Sequence, residues 1–586
     1  MGTSRALEKF ARHCTREIVA MGRLCAGRRI AVAAVAFATF SVHAVPTAHP
    51  PHRIHIDGSE TVAISESASA SSEPRSASAS EPDSEPESAC SEMVRIQAAA
   101  KEEILAYGEV LRDRFLWADQ YGAYAVPESV NRSFVADALF NTFTFTANNT
   151  WEVFETDCTT YVTTGDIPQM WLRDSSVQMS TYVQHAPLLP SFTAVLESIL
   201  LRQVRFFLGD PYGSAFFQTT GPSPNNGPNQ NECAPSDLCP NCTCVECAPS
   251  CSPYTYQHDY ELDSPLFMFE LMYKFWAHSP SDGSAFFIAN MDEIKSSVHA
   301  LVDLMVVEQH HFRDSPYYYK PLPGQFRDGT GLVWSFARPS DDQTTLGYNI
   351  PQNLFAVSVL SKLEDMNSAL WDDEGLGASL SALRTSIEEG IETYGIVNIT
   401  TLTDVFAEDW SPDSDAQVES VFAFEVDGWG NWTRYVLDDA NMPNLLWLPY
   451  LSSSGKGENH GLRGYVESGI VERTRQAVLS ARNENFFSHR GVKGLGSQHT
   501  SQGLRPEWPG PQCDSECVWH LGLIMQAMST TNQDEKHYCL EQVMGTAWHG
   551  LMHEGFAVSN TTNYNRDLFG WANSMFAEWI ITDFMP

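Results

Sequence analysis

Five short stretches concentrate carboxylates, tryptophan, asparagine and histidine among glycine and proline. They are GDIPQMWLRDSS (165–176), VWSFARPSDDQTTLGYNIPQN (333–353), DDANMPNLLWLPYL (438–451), GLGSQHTSQGLRPEWP (494–509) and HEGF (553–556), the last followed by NRDLFGWANSMFAEW (565–579). Glycine and proline punctuate helices and mark loops, and polar residues on loops are where binding and catalysis concentrate. An aromatic face suits the apolar C–H surface of a sugar ring, while Asp, Arg, Asn and His pair with its hydroxyls. Every one of those types is present. Taken singly, the same residues have plainer readings: Ser340-Asp341-Asp342 as a helix N-cap, Glu554 as a solvated carboxylate, Arg173–Asp174 as a buried pair that orders its loop. Trp571 and Asn573 read as helix core.

The elements that must hold these loops are helices. Apolar residues recur at helical spacing over 93–114, 191–208, 264–277, 291–307, 351–363, 471–481, 518–528 and 570–581. Helices joined by long polar-aromatic loops suit an all-α toroid of helical hairpins with a cleft built at one end. Ahead of them, residues 46–92 are dominated by Ser, Ala, Glu and Pro and cannot bury enough apolar surface to order themselves, so they read as a stalk. Six arginines from Arg5 to Arg29 precede an apolar run from Ile30 to Val45. Residues 1–45 are therefore a targeting segment, either a cleaved signal peptide ending near Val42-His43-Ala44 or an uncleaved single-pass type II anchor.

Composition narrows the partners. With 73 acidic against 36 basic side chains the formal net charge is −37, a field that repels phosphate backbones and argues against nucleic acid, whereas a neutral glycan is indifferent to it. Asn131, Asn148, Asn241, Asn398, Asn431 and Asn560 each begin an Asn-x-Ser/Thr sequon, which together with the targeting segment points to a lumenal or extracellular catalytic region. In that compartment disulfides are the default for the 11 cysteines beyond the apolar run. Six of these crowd into an insertion at 225–252 (Cys233, Cys239, Cys242, Cys244, Cys247, Cys251), where disulfides are favoured over a zinc knob. Cys513 and Cys517 flank a loop and are expected to pair locally, and Cys90 in the stalk is available for an interchain bond.

The motifs DIPQMWLRDS, RPSDD with YNIPQN, DDANMPNLLWLPYL, GSQHT, LIMQAMST and HE with WANSMFAEW, in that order from 93 to 586, resemble glycoside hydrolase family 125, the exo-acting α-1,6-mannosidases. The resemblance implies an (α/α)6 barrel, release of terminal non-reducing α-mannose with inversion, and no metal or other cofactor. It places the general acid at Asp341 or Asp342, with Asp341 favoured, and the base at Glu554; adjacent carboxylates resist ionising together, which is one way to keep an acid protonated. It makes Trp171, Arg173, Asp174, Arg338, Asn441, His499 and Arg505 candidates for contact with the sugar. The chain departs from the usual pattern at Gln498, where proline is usual, and at Gly555, where serine is usual; the cysteine-rich insertion is outside it. Two rivals are an inverting glycosidase of another linkage or sugar on the same barrel and a stalked glycan-binding protein without catalysis. Retention of both carboxylate positions argues against the second. A metal-dependent mannosidase has no HExxH or EF-hand spacing to support it.

Overall fold

The computed structural model describes residues 90–117, 125–219, 252–278, 283–322, 324–401, 417–453, 461–499, 513 and 516–585. The targeting segment, the stalk before Cys90, the cysteine-rich insertion apart from Ser252, Asn241 and Arg505 lie outside them. Twelve helices of nine or more residues occur among the described residues: α1 (Ser91–Trp117), α2 (Arg132–Asn149), α3 (Leu172–Val183), α4 (Pro190–Gly209), α5 (Asp263–His278), α6 (Met291–Glu308), α7 (Ile350–Leu370), α8 (Glu374–Gly390), α9 (Ile470–Val478), α10 (His520–Met528), α11 (Gln533–Thr546) and α12 (Gly570–Phe584). None is long and apolar enough to cross a membrane.

Helical spacing over 93–114, 191–208, 264–277, 291–307, 351–363, 471–481 and 570–581 falls on α1, α4, α5, α6, α7, α9 and α12, whereas α2, α3, α8 and α11 lie outside the stretches read as helical. α8 buries Leu376, Leu380, Leu383 and Ile387 along one stripe, the spacing of a helix with one face to water. α5 buries nearly every side chain from Asp263 to Phe275, and α3 buries all but one residue of LRDSSVQMSTYV. A helix surrounded on all sides shows no amphipathic period. The fully wrapped elements touch one another in succession: α3 packs on α5, α5 on α7, α7 on the short helix Leu448–Ser453, the adjoining turn Leu445–Trp447 on α10, α10 on α12, and α12 on α3. α1 lies across α2 and α4, outside α3 and α12.

Short antiparallel sheets stiffen the connections. Met170–Trp171, Ala215–Phe216 and Thr255–Gln257 form one, with Trp171 opposite Ala215; Cys517–Trp519, Gly555–Ala557 and Asn560–Tyr564 form another, with Trp519 opposite Gly555. The cysteine-rich insertion leaves and rejoins the chain between two adjacent strands of the first. Three expectations are corrected. α7 is capped by Asn349, whose side chain accepts from the Gln352 N–H, so Ser340-Asp341-Asp342 is a loop and not an N-cap. Cys90 bonds Cys158 within the chain, and α1 begins at Ser91, so the ordered region starts slightly before residue 93. The period over 518–528 is a strand followed by a helix, because Trp519 is extended and α10 starts at His520. Cys513 and Cys517 do pair.

Candidate active site

The N-terminal ends of the ring elements converge on a pocket of about 340 Å³. The start of α3 contributes Trp171, Arg173 and Asp174, the loop before α7 contributes Pro339, Ser340 and Asp341, and the turn before Leu445 contributes Asn441. His499, Trp519, Glu554, Arg566, Phe569 and Trp571 complete most of the wall, with Thr164 and Ile167 at its edge. Helix N-termini present unpaired N–H groups and the positive end of the macrodipole, which suits a wall so rich in carboxylates. Gly165 allows the edge to form: at φ +120°, a Cβ there would lie 1.9 Å from the Leu568 carbonyl oxygen. That closeness lets Asp166 N–H donate to Leu568 O and Gly570 N–H to Thr164 O, setting Phe569 against Thr164.

On one side of the pocket four carboxylates share one guanidinium. Arg173 lies 2.5 Å from Glu261, 3.1 Å from Asp341, 3.5 Å from Asp174 and 3.7 Å from Asp263, stacked over Trp571 at 5.1 Å. Glu261 also accepts from Ser264 Oγ at 2.8 Å and hydrogen-bonds Asp341. One cation cannot balance four buried anions, so protons remain. Burial and the neighbouring charges push Glu261 well above the carboxylate range, while burial lifts Asp263 and Asp174 to about 6 each. Asp341 is the member driven the other way: burial opposes its charge, but Arg173 and the hydrogen bond from Glu261 hold it low. The Glu261–Asp341 pair therefore retains one proton, and its titration belongs to both groups. Asp341 sits at φ +65°, a strained backbone that Asp tolerates better than most residues, and its side chain is 28% exposed, facing the pocket.

Asp342 does not line the pocket. Burial opposes its charge, but His499, Arg338 and Ser340 hold its carboxyl below the usual range. The carboxyl that shares a proton with Asp341 is therefore Glu261 and not the adjacent Asp342. Arg338 also stays behind the wall, donating to Gln498 Oε1 at 3.3 Å and lying 3.6 Å from Asp342 and 3.7 Å from Glu425. The unusual Gln498 is thereby used as an acceptor. Asn441 is held by its amide donating to Asp439 Oδ1 at 2.8 Å and to Ser497 Oγ at 3.3 Å. Trp171 donates to Gln257 at 2.9 Å.

On the other side, Glu554 lies 3.8 Å from Arg566, which donates to Asp166 at 2.6 Å and to Thr164 Oγ1 at 3.1 Å. The Glu554 N–H donates to the Asn565 carbonyl. Its neighbour His553 donates its N–H to the neutral His520 ring at 2.8 Å; burial and then His553 lower His520 to about 3. His499 lies between the two sides. Burial opposes its charge, but Asp342, then Glu554 and Asp341, raise it above its ordinary value. Gly555 makes room for Trp519, since a Cβ would meet the indole at 3.1 Å.

Of the sequence candidates, the fold brings Trp171, Arg173, Asp174, Asp341, Asn441, His499 and Glu554 to one pocket and sets Asp342 and Arg338 behind it. Trp571, expected to be core, is both buried and pocket-lining, whereas Asn573 is structural, accepting from the Met552 N–H. Arg566, Trp519 and Phe569 were missed, as were Glu261 and Asp263, whose only sequence signal is an acidic pair at a helix start.

Residues 133–581 match the glycoside hydrolase family of metal-independent alpha-mannosidases, GH125. The chain is 28% identical over 444 residues to the meiotically up-regulated gene 157 protein of Schizosaccharomyces pombe, covering 72% of this chain and 76% of that one. A solved Streptococcus pneumoniae structure, from work on metal-independent alpha mannosidases and in a non-productive complex with alpha-1,6-mannobiose, superposes with a TM-score of 0.60 at 28% identity, covering 82% of this chain and 98% of that one. With the match spanning nearly all of the described helices and the whole pocket, this chain belongs to the GH125 family of metal-independent alpha-mannosidases.

Proposed function

We propose that the chain releases terminal non-reducing α-1,6-linked mannose from neutral glycans by a single inverting displacement, on an (α/α)6 barrel. The barrel reading is supported by the succession of wrapped elements that returns from α12 to α3. The observation that carries the chemistry is the unequal provision of cations: Asp341 faces the pocket from a proton-retaining pair, and Glu554 faces it beside Arg566. In the displacement the proton of the Glu261–Asp341 pair passes from Asp341 to the glycosidic oxygen as the C1–O bond breaks. Water attacks C1 from the opposite face and gives its proton to Glu554. Such enzymes space the two carboxyls roughly 6.5–9.5 Å apart to admit that water. Arg173, Asp174, Asn441 and His499 supply partners for sugar hydroxyls, and Trp171 and Trp519 supply apolar walls.

A lumenal or extracellular site of action is supported by the basic and apolar N-terminal segment and by the exposure of Asn131, Asn148, Asn398, Asn431 and Asn560. The test is hydrolysis of α-1,2-, α-1,3- and α-1,6-mannobiose by the purified full chain, with and without chelator, followed by proton NMR. Only the α-1,6 isomer should be cleaved well, the chelator should change nothing, and β-mannose should appear first. First appearance of α-mannose would exclude inversion and make Glu554 a nucleophile candidate.

A further inference from the structure

Trp429 is 60% exposed, yet everything that holds it is fixed. It stands at the tip of a hairpin in which Val426 pairs with Trp432 and the Asp427 N–H donates to the Asn431 carbonyl at 3.2 Å. Inside the turn, Asp427 Oδ1 accepts the N–H groups of Trp429 at 2.8 Å and Asn431 at 3.0 Å. Gly428 and Gly430 flank the indole, both at positive φ (72° and 103°) that side chains rarely adopt. The Arg327 guanidinium lies over the ring at 5.8 Å. The strand leading into the turn is anchored at the catalytic face, because Glu425 Oε2 accepts from the N–H groups of Thr345 and Leu346, just beyond the Asp341 loop. A large aromatic ring held open to water on this turn offers a face to an apolar partner.

The covering group is two residues away. Asn431-Trp432-Thr433 is a sequon, Asn431 is exposed, and two residues of chain span at most about 7 Å, so the first sugar on Asn431 can reach the indole. We propose that Asn431 carries an N-linked glycan whose first N-acetylglucosamine lies with its C–H face on Trp429. This rests on the lumenal reading above. The donor is a lipid-linked oligosaccharide pyrophosphate: the Nδ2–C1 bond forms, the C1–O bond to the pyrophosphate breaks, and Nδ2 gives up one proton to that leaving group. The other proton remains, so the Asn431 Nδ2 to Asp427 Oδ2 hydrogen bond at 2.6 Å is kept in the glycosylated chain. The glycan then stands as a fixed post beside the pocket loop instead of a freely swinging chain.

Glycopeptide mass spectrometry of the chain secreted from a glycosylating host should find Asn431 occupied. Trp429→Ala should lower Tm by about 0.5–1.5 °C more in occupied protein than in an Asn431→Gln background, the scale of a lost aromatic stacking contact in a domain of this size. Trimming to a single N-acetylglucosamine should preserve the Trp429→Ala effect. A bare Asn431 on a chain whose other exposed sequons carry glycan overturns the proposal. So does an equal Trp429→Ala shift in both backgrounds, or a Trp429→Ala defect confined to KM for large glycans, which would make the ring a substrate platform. If none of the five exposed sequons is occupied, the proposal and the lumenal reading fall together, while mannobiose hydrolysis by the same sample still tests the catalytic reading.

Discussion

Glu261→Gln separates a proton-holding role for Glu261 from a merely structural one. The substitution keeps the side chain's size and an oxygen for Arg173 and Ser264, but it removes the group that retains the pair's proton. Asp341 would then titrate alone beside Arg173 at 3.1 Å, at or below the ordinary aspartate value near 3.9. At pH 6.5 an ordinary aspartic acid is protonated in about one molecule in 400. If hydrolysis needs that proton, turnover of α-1,6-mannobiose should fall at least about 400-fold at pH 6.5, and recover about tenfold for each unit the pH is lowered. An aryl mannoside whose phenolate leaves without protonation should lose far less. The assay is a pH–rate profile on both substrates, with circular dichroism to establish that the variant is folded. A wild-type profile on mannobiose, or the same loss on both substrates, would refute the shared-proton argument.

Glu554→Gln should slow every substrate by a factor on the order of 10²–10⁴ while calorimetry still detects mannose binding; an unaffected rate moves the base elsewhere. Asp341→Asn should spare the aryl mannoside and suppress mannobiose, whereas Asp342→Asn showing that selectivity would transfer the acid role to Asp342. His520 has a folded value near 3, below its unfolded value near 6.5, so the unfolded chain takes up the proton first and stability is lost as pH falls from about 6.5. Relative to His520→Asn, wild type should therefore lose about 2 kcal/mol between pH 7 and pH 5 in denaturant titrations. Cys158→Ser opens a loop of sequence separation 68 and should cost about 2–4 kcal/mol. A disulfide-linked dimer through Cys90 in wild type would contradict the intrachain pairing.

The sequence revealed the loops better than the helices that carry them. Amphipathic helices such as α6 announce themselves by spacing, but α3, the helix that delivers Arg173 and Asp174, reads as a loop because it is covered on all sides and its many polar residues leave no apolar period. Its polar side chains are satisfied by tertiary partners: Ser175 and Ser176 accept from Gln203, and Gln178 donates to the Thr163 carbonyl. Ser340-Asp341-Asp342 illustrates the opposite ambiguity, since a helix cap and a strained loop use the same residue types, and the φ of +65° at Asp341 together with the cap at Asn349 separates them. Glu261 was invisible for a third reason. Its importance is relational, arising from an arginine 88 residues away and a carboxylate brought next to it by folding.

The opposite roles assigned to Asp341 and Glu554 follow from how few cations the fold places at the pocket. Around Arg173 the ratio is four carboxylates to one guanidinium, and burial makes full ionisation there more costly than retaining protons. Around Glu554 the excess is smaller: Arg566 serves two carboxylates, Glu554 and Asp166, and the raised His499 adds positive charge from the wall between the two sides. Neither Asp341 nor Glu554 belongs to the first turn of a helix, so a helix dipole does not by itself decide which holds a proton. The decision rests on side-chain stoichiometry. In a chain of net charge −37, the placement of Arg173 and Arg566 is therefore what would separate the proposed acid from the proposed base across one sugar ring.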